Sequence, residues 1–391
     1  MKIDTRLAER LKKINPSSTL AITSKARKLR SEGKDIVSFA AGEPDFDTPD
    51  FVKSAAIAAI EAGFTKYTPT TGIPELKKFI CQKFKKDNSL EYSPEQIIVS
   101  NGAKHSIYNA LMVLLNPHDE ALIPVPYWVS YPEMVRLCEA TPRLIKTRPE
   151  DNFKMTLKDL RKHISAKTKV LILNSPSNPT GAVYTRSELE EIASLCVEKN
   201  IFVISDEIYE KIIFDGLKHE SIAGFNKDIY NLTVTVNGLS KSYSMTGWRI
   251  GYLAAPADVA GAISNLQDHS TSNPNSIAQK AAVAALSAAE NFTRGHCLEF
   301  QKRRDYLAQR LKSIPKLAFN LPQGAFYVFC DISKTGLNSM SFAARLLEEE
   351  YVSVIPGASF GMDDFIRISF AASIEDIRKG MDRIEKWVGK L

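Results

Sequence analysis

Residues 201–249 read IFVISDEIYEKIIFDGLKHESIAGFNKDIYNLTVTVNGLSKSYSMTGWR, and they hold two short β-branched apolar runs, IFVIS and LTVTV, each of which stops at a polar turn. Working outward, the same pattern recurs at IIVS (97–100), ALIPV (121–125) and VLILN (170–174), with helical patterns between the runs. Short apolar strands alternating with helices predict an α/β fold with a largely parallel sheet covered on both faces. Open sheets of this kind gather ligands at the carboxyl ends of their strands. Here those ends carry SNGAKH, NSPSNPTG, SDEIY and NGLSKSY, so the chemistry is expected there.

The pattern changes after about residue 290. A charged helix (roughly 294–312) is followed by the apolar stretch GAFYVFCDI, a helix near 340–350, a strand pair around VSVIPG and IRISFA, and a closing helix. We expect three parts: residues 1–48 as an N-terminal segment completing the small domain, 49–290 as the large domain, and 291–391 as a smaller α+β domain. A chain of 391 residues exceeds the size at which one core stops growing, which favours two subdomains around a cleft. No internal repeat or low-complexity tract interrupts it.

Composition excludes several classes of function. No apolar run approaches the roughly 18 to 20 residues that a membrane helix needs. The formal charge of +6 is spread along the chain without the dense basic block of a nucleic-acid binder, and reads as a mild bias towards acidic ligands. Cys81, Cys138, Cys196, Cys297 and Cys330 stand too far apart for CxxC metal or redox motifs, so reduced, mostly buried thiols are expected. The N-terminal MKIDTRLAERLKK lacks the apolar core of a signal peptide, and its acidic residues argue against a transit peptide; a cytoplasmic location follows. The sequons at Asn231 and Asn291 carry little meaning in that setting.

Each motif has a bland reading beside the functional one. Asp206 at the end of a buried strand could simply cap a following helix, although a buried carboxylate is costly unless it meets a cation or donors. Lys241, 35 positions later, could be an ordinary surface charge. Its setting, SKSYSMTGWR, instead places a primary amine between hydroxyls and Arg249, groups that bind phosphate and lower the amine's pKa. NSPSNPTGAVY could be only a tight turn, and SNGAKH only a helix start, where free amides and the helix dipole favour a phosphate. Gly357-Ala358-Ser359-Phe360-Gly361 fits the G-x-S-x-G elbow of hydrolases, but the last histidine is His296, so the required chain order fails. There is no GxGxxG, GxxxxGK[ST] or HExxH, and no metal site is expected.

In combination and order, AAGEPDFDTP, KYTPTTGIPELK, PYWVSYPEM, NSPSNPTGAVY, SDEIYE, SKSYSMTGWRIGY and IRISFA resemble the class I/II aminotransferases of the aspartate aminotransferase fold, nearly end to end. The wording of PYWVSYPEM and the lysine after SNGA is similar to the bacterial branch of aspartate aminotransferases, some of which also transaminate prephenate. The resemblance implies a PLP-dependent transferase fold with a mainly parallel seven-stranded sheet and pyridoxal 5′-phosphate as cofactor. It implies that Lys241 holds the cofactor as a Schiff base and shuttles the substrate proton. Asp206 would pair with the pyridine nitrogen, Asn178 and Tyr209 would bond the ring oxygen, and Trp128 would stack on the ring for on the order of 1 kcal/mol. Gly102, Ala103 and Lys104 at the helix start would hold the phosphate with Ser240 and Arg249, and Tyr67 would reach in from a second subunit of a homodimer. Ala103 stands where relatives often have a second glycine, which leaves less room around the phosphate. Arg367, with Gly42 and Asn178, would bind the substrate's α-carboxylate in arginine's fork geometry, and its place in the small domain would pull the domains closed.

The same resemblance implies that Lys104, Ser17 and Thr19 take a distal carboxylate, so that aspartate or glutamate and a 2-oxo acid (2-oxoglutarate or oxaloacetate) are the substrates. The alternative within the fold is an aromatic-amino-acid or prephenate aminotransferase. A lyase or decarboxylase shares the cofactor cup and differs in which Cα bond stands perpendicular to the ring. A cofactor-binding transcriptional regulator would need a basic helix-turn-helix pattern, which the sequence does not contain.

Overall fold

The structure, a computed structural model, describes residues 6–15 and 18–391, with the side chains of residues 18–21 excluded. Its centre is a seven-stranded sheet in the order Ile97–Ser100, Gly251–Ala254, Thr233–Gly238, Phe202–Asp206, Thr168–Asn174, Glu120–Val125, Thr141–Lys146. The last five of these are mutually parallel, and Gly251–Ala254 alone runs antiparallel to both of its neighbours. The expected mainly parallel sheet is therefore present; five of its strands are the apolar runs read in the sequence, while Gly251–Ala254 and the largely exposed edge strand Thr141–Lys146 were not anticipated.

Both faces of the sheet are covered, which is why these strands are nearly continuous in apolar residues instead of alternating with polar ones. Ile98, Ile123, Ile172, Ile204, Val234 and Leu253 bury one face under the helices Ala103–Leu114, Ser130–Leu137 and Ala257–Ser270. Their neighbours point the other way. Ile97, Val99 and Tyr252 meet Asp50–Glu61, Pro74–Asn88 and Ser276–Ala288, while Leu171, Leu173 and Val203 meet Arg186–Lys199. Thr185 and Glu188 start that last helix with a capping box, each side chain satisfying the other's free backbone amide.

A second sheet of four strands, in the order Ile355–Pro356, Phe365–Ser369, Tyr327–Asp331, Ala318–Phe319, is antiparallel throughout. The helices Glu290–Lys312, Ser339–Glu350 and Ile374–Val388 pack on it. Val37–Ser38 pairs in parallel with Val352–Ser353, tying the N-terminal stretch to this unit. Phe39 is fully buried beside it. Among the described residues no helix is long and apolar enough to cross a membrane, and the five cysteines are unpaired.

Gly380, within the closing helix, lets that helix sit on the N-terminal strand. A Cβ there would lie 2.3 Å from Phe39 Cζ and 2.9 Å from Val37 Cγ1. Phe39 has no free volume to retreat into. Gly380→Ala therefore sets an overpacking cost of about 1–3 kcal/mol against a helix-propensity gain of at most about 1 kcal/mol. The expected net result is a lower midpoint of thermal or denaturant unfolding; an unchanged or higher midpoint would show that the contact is not tight.

Candidate functional site

A cavity of about 570 Å³ opens at the carboxyl ends of the parallel strands, between the two sheets. Its lining includes Gly42, Ala103, Lys104, Trp128, Asn178, Asp206, Tyr209, Ser240, Lys241, Arg249 and Arg367, so eleven of the residues singled out in the sequence meet there. Gly102 adjoins it through the Arg249 guanidinium. Tyr67 does not line the cavity of its own chain and is 93% exposed. Ser17 lies outside the described residues, as does the side chain of Thr19.

The floor is built by two adjacent strand ends. Asn174 and Asp206 are register partners, and Asn174 Nδ2 donates to the Asp206 carbonyl (2.9 Å) while its Oδ1 accepts from the Asn178 amide (2.8 Å). This ties the NSPSNPTG turn to the SDEIY turn. Asp206 starts no helix; residues 207–211 are a turn, which rules out the bland capping role. Its carboxylate, 4% exposed, accepts from the Tyr131 hydroxyl (2.6 Å) and from the Ile208 amide (3.3 Å). Burial pushes the Asp206 carboxyl up to about 6, against the opposing pull of those two donors. Such a group holds its charge far more readily once a cation reaches it.

Lys241 projects from the turn after Thr233–Gly238, and its Nζ donates to the Gly42 carbonyl (2.6 Å). Burial lowers its pKa to about 8; nearby Arg367 and Arg249 push the same way, while Glu43 and Asp206 oppose. The amine is thus available in neutral form near physiological pH.

One end of the cavity is shaped for an anion. The helix Ala103–Leu114 begins after Gly102, whose φ of +86° gives the chain its entry angle, so the first amides of the helix are free to face a ligand. Arg249 Nη2 and Nη1 donate to the Asn101 and Thr246 carbonyls (3.2 and 2.9 Å), and a Cβ on Gly102 would lie 2.5 Å from Nη2. Gly251 closes the cradle from beneath: a side chain there would meet Ala103 N at 2.2 Å. Ala103 itself is the first helical residue and needs no glycine. Lys104 Nζ sits 5.0 Å from the centre of the Trp128 ring, and burial, with help from Arg249, lowers its pKa.

At the opposite end Arg367 is 4% exposed, with Nη1 donating to Asn178 Oδ1 (3.1 Å), Nη2 to the Ala40 carbonyl (2.9 Å), and Nε buried without a partner. Its guanidinium lies 4.3 Å from the Tyr327 ring centre and 5.3 Å from that of Phe360. Strand register accounts for the first contact: Arg367 is opposite Phe329, and Tyr327 is two residues along the same face. Among the described residues no carboxylate pairs with this buried cation. Tyr327 also shares a hydrogen bond with Tyr209 (2.9 Å).

Tyr131, Tyr327 and Asn174 escaped the sequence reading. Tyr131 carried a usable signal, since it follows Trp128 by three residues and turns its ring edge-on to it (5.3 Å). Tyr327 sits in the GAFYVFCDI run, where nothing but strand pairing reveals its neighbour.

Comparison with known proteins fits this geometry. Residues 34–384 match the family model described as aminotransferase class I and II. The aspartate aminotransferase of Bacillus sp. strain YM-2 is 48% identical, over 98% of this chain and 99% of its own. The aspartate/prephenate aminotransferase of Cereibacter sphaeroides is 45% identical, over 98% and 99%. The solved structure of the Thermus thermophilus aspartate aminotransferase with maleate superimposes with a TM-score of 0.94 at 41% identity, covering 98% of this chain and all of that one. A seven-stranded sheet with a lysine, an aspartate and two arginines gathered at its carboxyl edge, a family match over most of the length, and relatives aligned nearly end to end lead to one conclusion: the chain belongs to the class I and II aminotransferases.

Proposed function

We propose that this aminotransferase uses pyridoxal 5′-phosphate to move the amino group between aspartate or glutamate and a 2-oxo acid. The observation that carries the reading is the charge of the cavity. Arg27, Arg30, Lys104, Lys241, Arg249 and Arg367 line it against only Glu43 and Asp206. Arg367 is buried and Lys241 partly so, and with four more exposed cations lining the same cavity the excess calls for anions. A phosphate and one α-carboxylate would answer Arg249 and Arg367, and a second carboxylate on the substrate would answer Lys104. The Thermus thermophilus relative solved with maleate, a dicarboxylate, supports the same choice.

The donor set fits the cofactor. The Gly102 to Lys104 helix start, Ser240 and Arg249 form a cradle that a Cβ at Gly102 or Gly251 would fill, which is the expected shape for a phosphate. Asp206, poised near its midpoint by burial, suits the pyridine nitrogen, and Asn178 and Tyr209 suit the ring oxygen. Trp128 supplies a ring face. When bound, the cofactor supplies an electron sink for the negative charge that develops at the substrate Cα.

The protein's own groups do the rest. Arg367 binds the α-carboxylate through its fork, with Nε gaining its missing acceptor and Gly42 and Asn178 beside it. That contact orients the Cα–H bond towards Lys241 Nζ, which would hold the cofactor and, as a free amine, would carry the proton off Cα and return it. Tyr131 steadies the Asp206 carboxylate as an anion.

A homodimer completes the reading. Tyr67 is exposed, as are Phe51, Ile57 and Ile60 of the helix Asp50–Glu61 at 40–55%, and a second copy covering these apolar side chains would bring Tyr67 to the neighbouring phosphate. Sedimentation of the active enzyme as a monomer would overturn that part. Five unpaired cysteines favour a reducing compartment, and we take the cytoplasm as its location.

Single-turnover absorbance with aspartate, glutamate, phenylalanine and an apolar amino acid tests substrate choice. Fast loss of the bound-cofactor band with the two acidic amino acids alone is the expected result. Equal speed with phenylalanine would move the reading to the aromatic or prephenate branch, which the Cereibacter sphaeroides relative keeps open. Lys104→Ala should raise KM for aspartate about tenfold while leaving that for an apolar amino acid nearly unchanged, since one charge-assisted contact is worth roughly 1.5–3 kcal/mol at most. Lys241→Ala should lose both the visible band and turnover.

The amine's lowered pKa gives a pH test in cofactor-stripped protein. Only neutral amine acylates, so labelling of Lys241, followed by peptide mass spectrometry, should climb with pH through a midpoint near 8 and level off above it. Ordinary lysines continue to climb beyond pH 10. A Lys241 profile matching theirs would show that burial does not tune this amine.

A further inference from the structure

The turn that carries Asp206 and Tyr209 has a second side. Residues 206, 208 and 209 line the cavity, whereas Glu207 and Glu210 are turned away from it into the protein. There they meet a ring of donors from two other segments and from Ser205 on the strand that leads into the turn. Glu207 Oε1 accepts from Ser205 Oγ (2.8 Å) and Ser221 Oγ (2.7 Å), and Oε2 accepts from His219 Nε2 (2.9 Å). Glu210 is in contact with Lys83 Nζ and accepts from Asn88 Nδ2 (2.9 Å); Asn88 Oδ1 accepts from Lys83 in turn (2.7 Å). Lys211, the next residue, pairs with Asp87 (2.7 Å).

These are not solvated surface pairs. The side chains of Glu207, Glu210, Lys83 and His219 are 1%, 4%, 5% and 8% exposed. Burying four ionisable groups is expensive even when they are paired, and apolar residues of the same volume would usually serve stability as well or better. What a paired, hydrogen-bonded cluster adds is a restricted geometry, and of its buried side-chain N and O atoms only His219 Nδ1 is left without a partner. Glu207, Glu210 and His219 are also of metal-ligand type, with ligand atoms within 4.8 Å of one another. Lys83 and the His219 ring already supply the counter-charge, however, so the cluster is closed without an ion.

We propose that Glu207, Glu210, His219 and Lys83 are positioning residues which grip the turn from behind and thereby fix Asp206 and Tyr209 against the cofactor ring. The strap is rigid in both directions. The Glu207 amide donates to the Val236 carbonyl (2.9 Å) of the strand that leads to Lys241, and the Glu210 amide donates to the Glu207 carbonyl (2.9 Å). Tyr209 adds its own bond to Tyr327 across the cleft. A shift of the turn would therefore move the ring-nitrogen partner and the ring-oxygen partner together, away from a ring anchored separately at its phosphate.

This inference rests on the cofactor reading of the cavity, and the test separates the two. Cofactor-stripped protein is titrated with pyridoxal 5′-phosphate, and the pH midpoint of the bound visible band is recorded for the unaltered chain and for His219→Gln. If the unaltered chain gives no visible band, the cofactor reading itself fails. If it does, positioning predicts that His219→Gln binds the cofactor about tenfold more weakly, shifts the band's pH midpoint, and lowers kcat with little change in KM for aspartate. A variant that melts earlier but keeps affinity, midpoint and kcat overturns the proposal, because the cluster would then serve folding alone. Should His219→Gln fail to fold, Ser221→Ala removes one uncharged donor to Glu207, and the same readouts apply: a displaced midpoint supports positioning, and an unchanged one overturns it.

Discussion

Charge buried between the carboxyl edge of the parallel sheet, which carries Asp206, and the antiparallel sheet, which carries Arg367, constrains the rest of this molecule. Arg367 is held among two aromatic rings, a carbonyl and an amide oxygen, and Asp206 is sunk beneath a tyrosine, and neither finds an opposite charge in direct contact. Each group would be more stable in water. They stay buried because strands packed on both faces fix their backbone positions, and the large apolar cores supply the stability against which this local cost is set. A fold that holds unmatched charge in this way is shaped for a ligand carrying the missing charges.

The two ends of the cavity are built by different means. At the Arg249 end the tools are mainly backbone: a left-handed glycine, the free amides of a helix start, and an arginine aimed by two of its donors on carbonyls. At the Arg367 end the tools are side chains, a planar guanidinium braced by Tyr327 and Phe360, and we propose a phosphate for the first and a carboxylate for the second. The division suits the ligands. A phosphate is nearly spherical and accepts from many directions, whereas a carboxylate is planar and rewards a planar fork.

Lys241 lies between these ends, and its environment suits the proposed double role of attachment point and base. Burial and two guanidinium groups favour the neutral form, while Glu43 and Asp206 keep the shift moderate. A lysine on the surface would be almost wholly protonated at neutral pH. The same burial acts in reverse on Asp206, so one physical effect brings an acid and a base towards the pH at which both can exchange protons.

Much of this was legible in the sequence because it is local. Period, length and β-branching of the apolar runs identify the strands; glycine, proline and asparagine at their ends identify the turns; and the order of those turns carries the family resemblance. Lys241, Asp206 and Arg249 drew attention through their local setting, and Asn178 and Arg367 through the family resemblance of the motifs that hold them. Tyr131, Tyr327 and the Glu210 side of the cluster behind Asp206 escaped that reading, because their partners lie 75, 118 or more than 120 positions away; Glu207 has its side-chain partners within 14 positions, and there only the fold shows that they are buried together. Hydrogen bonding across such distances depends on strand register and helix packing, and no local pattern encodes it. The sequence by itself determined the strand and helix types, the ligand-bearing edge and the chemical identity of the groups there. Only the tertiary structure decided which of those groups are buried, which remain without a counter-charge, and how far their pKa values move, because desolvation is a property of everything packed around a group and not of its neighbours along the chain.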